Sequence, residues 1–134
     1  MIVLDASIVV SWFFESERTP EKLGVLDRTV KEGAVVPAHW LTEVANALQM
    51  GVRRGRFLAS RLPDSLGALA DLTIDREASA FPTIAAVVET ADRHDLTVYD
   101  AAYLELAKRR GLPLATLDQA LAHAARQEGV EVLP

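Results

Sequence analysis

Cysteine is missing from this chain. Disulfides and thiolate metal sites are therefore excluded, and the absence fits a reducing compartment. Positive charge is also in short supply. Lys and Arg number 14 against 19 Asp and Glu, a net charge of −5, which argues against a broad basic surface that grips nucleic acid. Any contact with nucleic acid therefore has to be local. There is no Gly-rich phosphate loop and no Ser-His-Asp arrangement. Internal repeats and low-complexity tracts are absent as well. His39, His94 and His123 are scattered without metal-type spacing and read as surface or packing residues. The N-terminus is apolar but lacks a basic leader, and Asp5 interrupts the run. It reads as neither signal peptide nor membrane span, so a cytoplasmic protein is expected.

The 134 residues, half of them apolar, suit a single domain over 1-134 with a substantial core. Met1–Leu4 is a continuous apolar run, as for a parallel strand buried on both faces. Helices are expected over Ser7–Phe14 and Glu17–Glu32, the second with Pro20 in its first turn and Gly33 at its end. Ala34–Val36 reads as a strand closed by Pro37. Over Trp40–Arg54 the apolar positions Leu41, Val44, Ala45, Leu48 and Val52 keep the three-and-four spacing of one helix face. Leu58–Leu69 reads as helix, with Pro63 as a break or fresh start. A strand over Leu72–Ile74 and a helix over Phe81–His94 follow. Leu96–Tyr99 is read as a brief strand or extended turn, Asp100–Arg110 as helix, Leu114–Leu117 as strand, Asp118–Gln127 as helix and Val130–Leu133 as a last strand. Alternation of this kind predicts an α/β domain: a three-layer α/β/α arrangement around a mostly parallel sheet.

Four carboxylates stand out against that pattern: Asp5, Glu43, Asp100 and Asp118. Three directly follow apolar runs read as strands, namely Met1–Leu4, Leu96–Tyr99 and Leu112–Leu117. Glu43 lies near the start of a long helix. The carboxyl ends of parallel strands share one edge, where ligands bind, so acids placed just beyond those ends would converge. Like charges raise one another's pKa, and a divalent ion with oxygen-only ligands, Mg²⁺ or Mn²⁺, is the simplest remedy. Each acid has an ordinary alternative as a helix cap or dipole partner. Ser7, Asn46 and Thr116 are placed to orient the acids. Asn46, three residues after Glu43 on the same helix face and beside apolar positions, is expected to have a polar partner. Ser7 reads equally well as an N-cap and Thr116 as a β-branched strand residue. Trp12, Phe13 and Phe14 read as core or interface. Arg53, Arg54 and Arg56 close one helix, and either a dipole or a phosphate role is open to them. Lys108, Arg109 and Arg110 close another and read as dipole partners.

Four motifs carry a family resemblance. They are Val3-Leu4-Asp5-Ala6-Ser7, Pro37 to Leu48 (PAHWLTEVANAL), Leu96 to Ala107 (LTVYDAAYLELA) and Leu114-Ala115-Thr116-Leu117-Asp118. In this order and at this length, the chain resembles the PIN-domain ribonucleases. Within them it resembles the VapC toxins of prokaryotic type II toxin–antitoxin systems. The resemblance spans essentially the whole chain. It implies that Asp5, Glu43, Asp100 and Asp118 form an unsubstituted acidic quartet for Mg²⁺ or Mn²⁺, with Ser7, Asn46 and Thr116 as polar helpers. It further implies cleavage of RNA, often structured tRNA or rRNA, leaving a 5′-phosphate and a 3′-hydroxyl. A homodimer and a VapB-type antitoxin whose tail covers the site complete the expectation.

Two rival classes remain to be weighed. A phospho-acceptor receiver domain needs an acceptor Asp after a middle strand and a Lys after a late one, whereas the middle of this chain is helical and no Lys follows a late strand. A non-catalytic interaction module built on the same fold has no need of a complete acidic quartet. Haloacid-dehalogenase-type phosphatases carry a second Asp two positions after the first, where this chain has Ser7.

Overall fold

In the computed structural model, which describes residues 1–134, the five strands are β1 (Ile2–Leu4), β2 (Ala34–Pro37), β3 (Ile74–Glu77), β4 (Leu114–Ala115) and β5 (Val132–Leu133). All neighbouring pairs are parallel, in the order β3-β2-β1-β4-β5. Val3 of the central strand pairs with Val35 on one side and Leu114 on the other. The helices are α1 (Ala6–Phe13), α2 (Pro20–Glu32), α3 (Trp40–Arg53), α4 (Leu62–Ala70), α5 (Phe81–His94), α6 (Val98–Arg110) and α7 (Gln119–Gln127). Right-handed crossovers place α1–α4 on one face of the sheet and α5–α7 on the other. The contacts agree: α1 touches α2 and α3, whereas α6 touches α5 and α7. The result is the expected three-layer α/β/α architecture, with a sheet that is parallel throughout.

Burial explains the central strand. Ile2, Val3 and Leu4 are fully buried, because helices cover both faces and no side of the strand meets water. Ile8 and Val9 of α1 and Tyr103 and Leu104 of α6 join them in one apolar cluster. The strand order reverses direction at β1: the chain runs outward through β2 and β3, then returns to lay β4 on the other side. In open parallel sheets this switch point leaves a crevice beyond the strand ends. The order also differs from the 2-1-3-4-5 arrangement of receiver-type sheets, which removes that rival.

Several boundaries differ from expectation. Leu96–Tyr99 forms no strand. Asp95 adopts a left-handed conformation (φ 52°) that ends α5, and Thr97 caps α6, its hydroxyl accepting the Asp100 N–H at 3.1 Å. Asp100 therefore sits in the first turn of a helix and not after a strand. The third strand lies at Ile74–Glu77 instead of Leu72–Ile74, paired along its length with Ala34–Pro37. The helix expected over Glu17–Glu32 begins at Pro20: Glu15–Glu17 form a separate 3₁₀ turn, and Thr19 caps the helix by accepting the Lys22 N–H. Pro63 opens α4, the position where its missing N–H costs least.

The basic residues of α5 and α6 are spoken for. The Glu128 carboxylate, just past α7, accepts from Lys108 Nζ at 2.6 Å and from Arg93, and His94 Nε2 lies 2.7 Å away. Arg109 pairs with Glu105 and Glu77, and Arg110 with Glu77. Hydrogen bonds from Lys108, His94 and Arg93 hold the Glu128 carboxyl down at about 2. A depressed acid stabilises the fold above its unfolded value and loses that contribution as pH falls through the folded one. Between pH 4.5 and about 2, the thermal midpoint of the wild type should fall more steeply than that of Glu128→Gln, as followed by circular dichroism. Above pH 5 the variant should melt lower.

Candidate active site

Asp5 leaves the end of β1 at the switch point. Its backbone N–H donates to the Ala115 carbonyl of β4 at 2.9 Å, so its position is fixed by the sheet itself. It is 5 % exposed, and a carboxylate this buried needs partners. Ser7 Oγ donates to Asp5 Oδ2 at 2.6 Å, and Thr116 Oγ1 donates to the same oxygen at 2.7 Å. Both hydroxyls converge on Oδ2, which leaves Oδ1 without a side-chain donor. The hydroxyls are themselves positioned by the chain after β4. The Leu117 N–H donates to Ser7 Oγ at 2.9 Å, and the Asp118 N–H to Thr116 Oγ1 at 3.0 Å. Two segments 110 residues apart are thus tied together at the strand ends.

Asp118 occupies the N-cap of α7, and its Oδ1 accepts the Leu121 N–H at 2.8 Å. The ordinary capping role is real for this acid. It is not for Asp5, which stands at the N-cap of α1 without a side-chain capping bond. Glu43 lies in the first turn of α3, and the Tyr103 hydroxyl donates to its Oε2. Tyr103 is fully buried. Burial first, and then the Glu43 carboxylate, raise its phenol well above its ordinary range, so it acts as a fixed donor. Asn46 is exposed and makes no side-chain hydrogen bond. The expected polar partner is absent because that part of the α3 face opens to solvent.

Asp100 lies within electrostatic reach of the other three acids. Burial raises the Asp100 carboxyl, and repulsion from Asp5, Asp118 and Glu43 raises it further. Asp5 is raised chiefly by burial, against the lowering effect of Ser7 and Thr116, with Asp118 adding repulsion. No Lys or Arg pairs with any of the four; His39 Nε2 lies 3.7 Å from Glu43 Oε2.

The donor set suits a hard divalent cation: oxygen ligands, negative and partly desolvated, with a local deficit of positive charge. In the side-chain positions of this structure no three acids or imidazoles stand close enough to share an ion. Asp5, Glu43 and Asp118 are each engaged by protein donors instead. The four could hold a cation in charge and chemistry, after side-chain rotation.

Sequence reasoning passed over three aromatic or imidazole side chains at this edge. Tyr103 follows Asp100 by three positions, and His39 precedes Glu43 by four, spacings that share a helix face with the acids. Tyr99 directly precedes Asp100. Those spacings were the available signal. Arg56 pairs with Glu17 at 3.4 Å and lies over the Phe14 ring at 4.8 Å.

The family described as PIN domain matches residues 2–127. A relative named Ribonuclease VapC3, from Pyrobaculum aerophilum, is 32% identical over 127 residues, covering 90% of this chain and 92% of its own. Among solved structures, PAE2754 from Pyrobaculum aerophilum superposes with a TM-score of 0.74 at 22% identity, covering 98% of this chain and 82% of that one. A toxin–antitoxin complex from Klebsiella pneumoniae contains a chain with a TM-score of 0.64 at 17% identity, covering 88% of this chain and 87% of that one.

A raised carboxyl opposes folding once it ionises, so its cost grows as pH climbs from 3.8 through the folded value. At neutral pH in EDTA, Asp100→Asn should therefore melt higher than the wild type. Mn²⁺ at a hundred times its dissociation constant should stabilise the wild type by about 2.7 kcal/mol and the variant by less. A lower melting point for the variant in EDTA would contradict this account of the repulsion.

Proposed function

The chain belongs to the PIN-domain family and is of the VapC type, and on that premise we propose that it is a divalent-metal-dependent endoribonuclease, the toxin of a toxin–antitoxin pair. What supports the reading is the repulsion that Asp5, Asp118 and Glu43 exert on Asp100 beyond the strand ends, with no Lys or Arg paired to any of the four.

Asp5, Glu43, Asp100 and Asp118 would hold Mg²⁺ or Mn²⁺. A bound ion would supply a water acidified enough to act as hydroxide, and charge to offset that of the phosphate. The carboxylates would hold metal and would not attack. Ser7 and Thr116 keep one Asp5 oxygen turned away and so aim the other. Asp118 stays rigid because its cap bond fixes it to α7, and Tyr103 limits how far Glu43 can swing. Water would add across a phosphodiester bond, giving a 5′-phosphate and a 3′-hydroxyl. Structured RNA, tRNA or rRNA, is the substrate class in this reading, with unpaired bases and shape selecting the cut.

An antitoxin of VapB type and pairing into a homodimer belong to the same proposal, supported for the antitoxin by the Klebsiella pneumoniae toxin–antitoxin complex. No helix is long and apolar enough to cross a membrane, and the cytoplasm, where such RNA lies, is the proposed location.

The test is cleavage of an RNA panel with Mg²⁺, with Mn²⁺ and in EDTA. Activity should require the metal. Asp5→Asn and Asp100→Asn should lose at least about a hundredfold, and Thr116→Val about ten- to a hundredfold, as for groups that orient a metal ligand. Undiminished cleavage in EDTA, or by Asp100→Asn, would sink the assignment.

A further inference from the structure

We propose that Tyr99, braced by His39, is a platform on which an unpaired nucleobase of the RNA stacks while the adjoining phosphate lies at the acids. The inference rests on the ribonuclease reading and extends it to how the substrate is gripped.

Three rings lead outward from the site. Tyr103 is fully buried and bonded to Glu43. The His39 ring packs edge-on against it, with centroids 5.2 Å apart at 70°. Tyr99 also packs edge-on against His39, at 5.5 Å and 65°. Tyr99 itself is 62% exposed and directly precedes Asp100 in the first turn of α6. His39 Nε2 is inaccessible to solvent, has no hydrogen-bond partner, and stands 3.7 Å from Glu43 Oε2. The ring contacts of His39 hold Tyr99 through geometry that aromatic pairs favour. An exposed ring fixed from behind can receive a base without first losing rotamer freedom.

Charge gives the second reason. The substrate is a polyanion, the chain carries −5, and no Lys or Arg pairs with the four acids. Protein cations are the usual source of phosphate affinity, and no Lys or Arg is paired at the acids. Stacking is indifferent to the charge of the surroundings and operates on any base. Tyr99 is the exposed aromatic ring adjacent to the acids.

The experiment is an abasic scan. Wild-type protein with Mn²⁺ first locates its cut in a single-stranded RNA oligonucleotide. Versions of that oligonucleotide lacking one base, at each of the two positions on either side of the cut, are then compared with wild type, Tyr99→Ala and Tyr99→Phe. For wild type, one abasic position should raise KM about tenfold, the order expected when one base stack is lost. Tyr99→Ala should show that rise on the intact oligonucleotide and none on removal of the base, so the two losses are not additive. Tyr99→Phe should behave as wild type. An unchanged KM for Tyr99→Ala on the intact oligonucleotide, or additive losses, would overturn the platform and leave the ribonuclease reading standing. Failure of the wild type to cut any RNA in the panel would overturn both.

Discussion

Carboxylates confined together repel, and the rest of this site is organised around that fact. Burial and three neighbouring acids raise Asp100. Asp5 is more buried still and is kept in place by two hydroxyl donors on a single oxygen. Hydroxyls are a measured choice. They occupy the lone pairs of one oxygen without neutralising the charge, as a Lys or Arg would. The charge therefore remains directed outward. Several cations are engaged elsewhere: Lys108 and Arg93 meet Glu128, and Arg109 and Arg110 meet Glu77.

This repulsion has to be overcome by something other than the site. The central strand supplies part of the answer. Asp5 follows directly on Ile2, Val3 and Leu4, all fully buried, and its own N–H is bonded into β4. Shifting Asp5 outward to relieve the repulsion would drag apolar side chains out of the core, at roughly 1.5–3 kcal/mol for each one fully exposed. The Ser7–Thr116 network adds a cross-link between the segments after β1 and β4. The same topology that creates the crevice between those two strands thereby fixes two of its acids in the backbone.

How far the sequence revealed this depends on the residue. Asp5 and the segment ending in Asp118 were legible because an unbroken apolar run followed by an acid has few meanings in an α/β chain. Glu43 was legible from the periodicity of α3. Asp100 was placed at the right edge for the wrong local reason. Leu96–Tyr99 is apolar and β-branched enough to mimic a strand, yet the turn at Asp95 and the Thr97 cap leave no room for one before α6 begins. Asn46 misled because helix periodicity tells which face a residue shares but not how far the neighbouring elements cover it. Tyr103 and His39 were invisible for the opposite reason. Aromatic and imidazole groups on helices usually pack, and these two do pack; only the structure shows that they pack against an acid.

Rigidity and charge thus divide the labour at this edge. Asp118 and Asp5 are anchored by backbone and hydroxyl donors, Glu43 by a buried phenol, while Asp100 has the weakest tether and takes repulsion from all three. Asp100 is therefore the acid with most to gain from a cation and the freest to turn toward one. It also stands one residue from Tyr99, so a motion of the first turn of α6 would move the carboxylate and the exposed ring together.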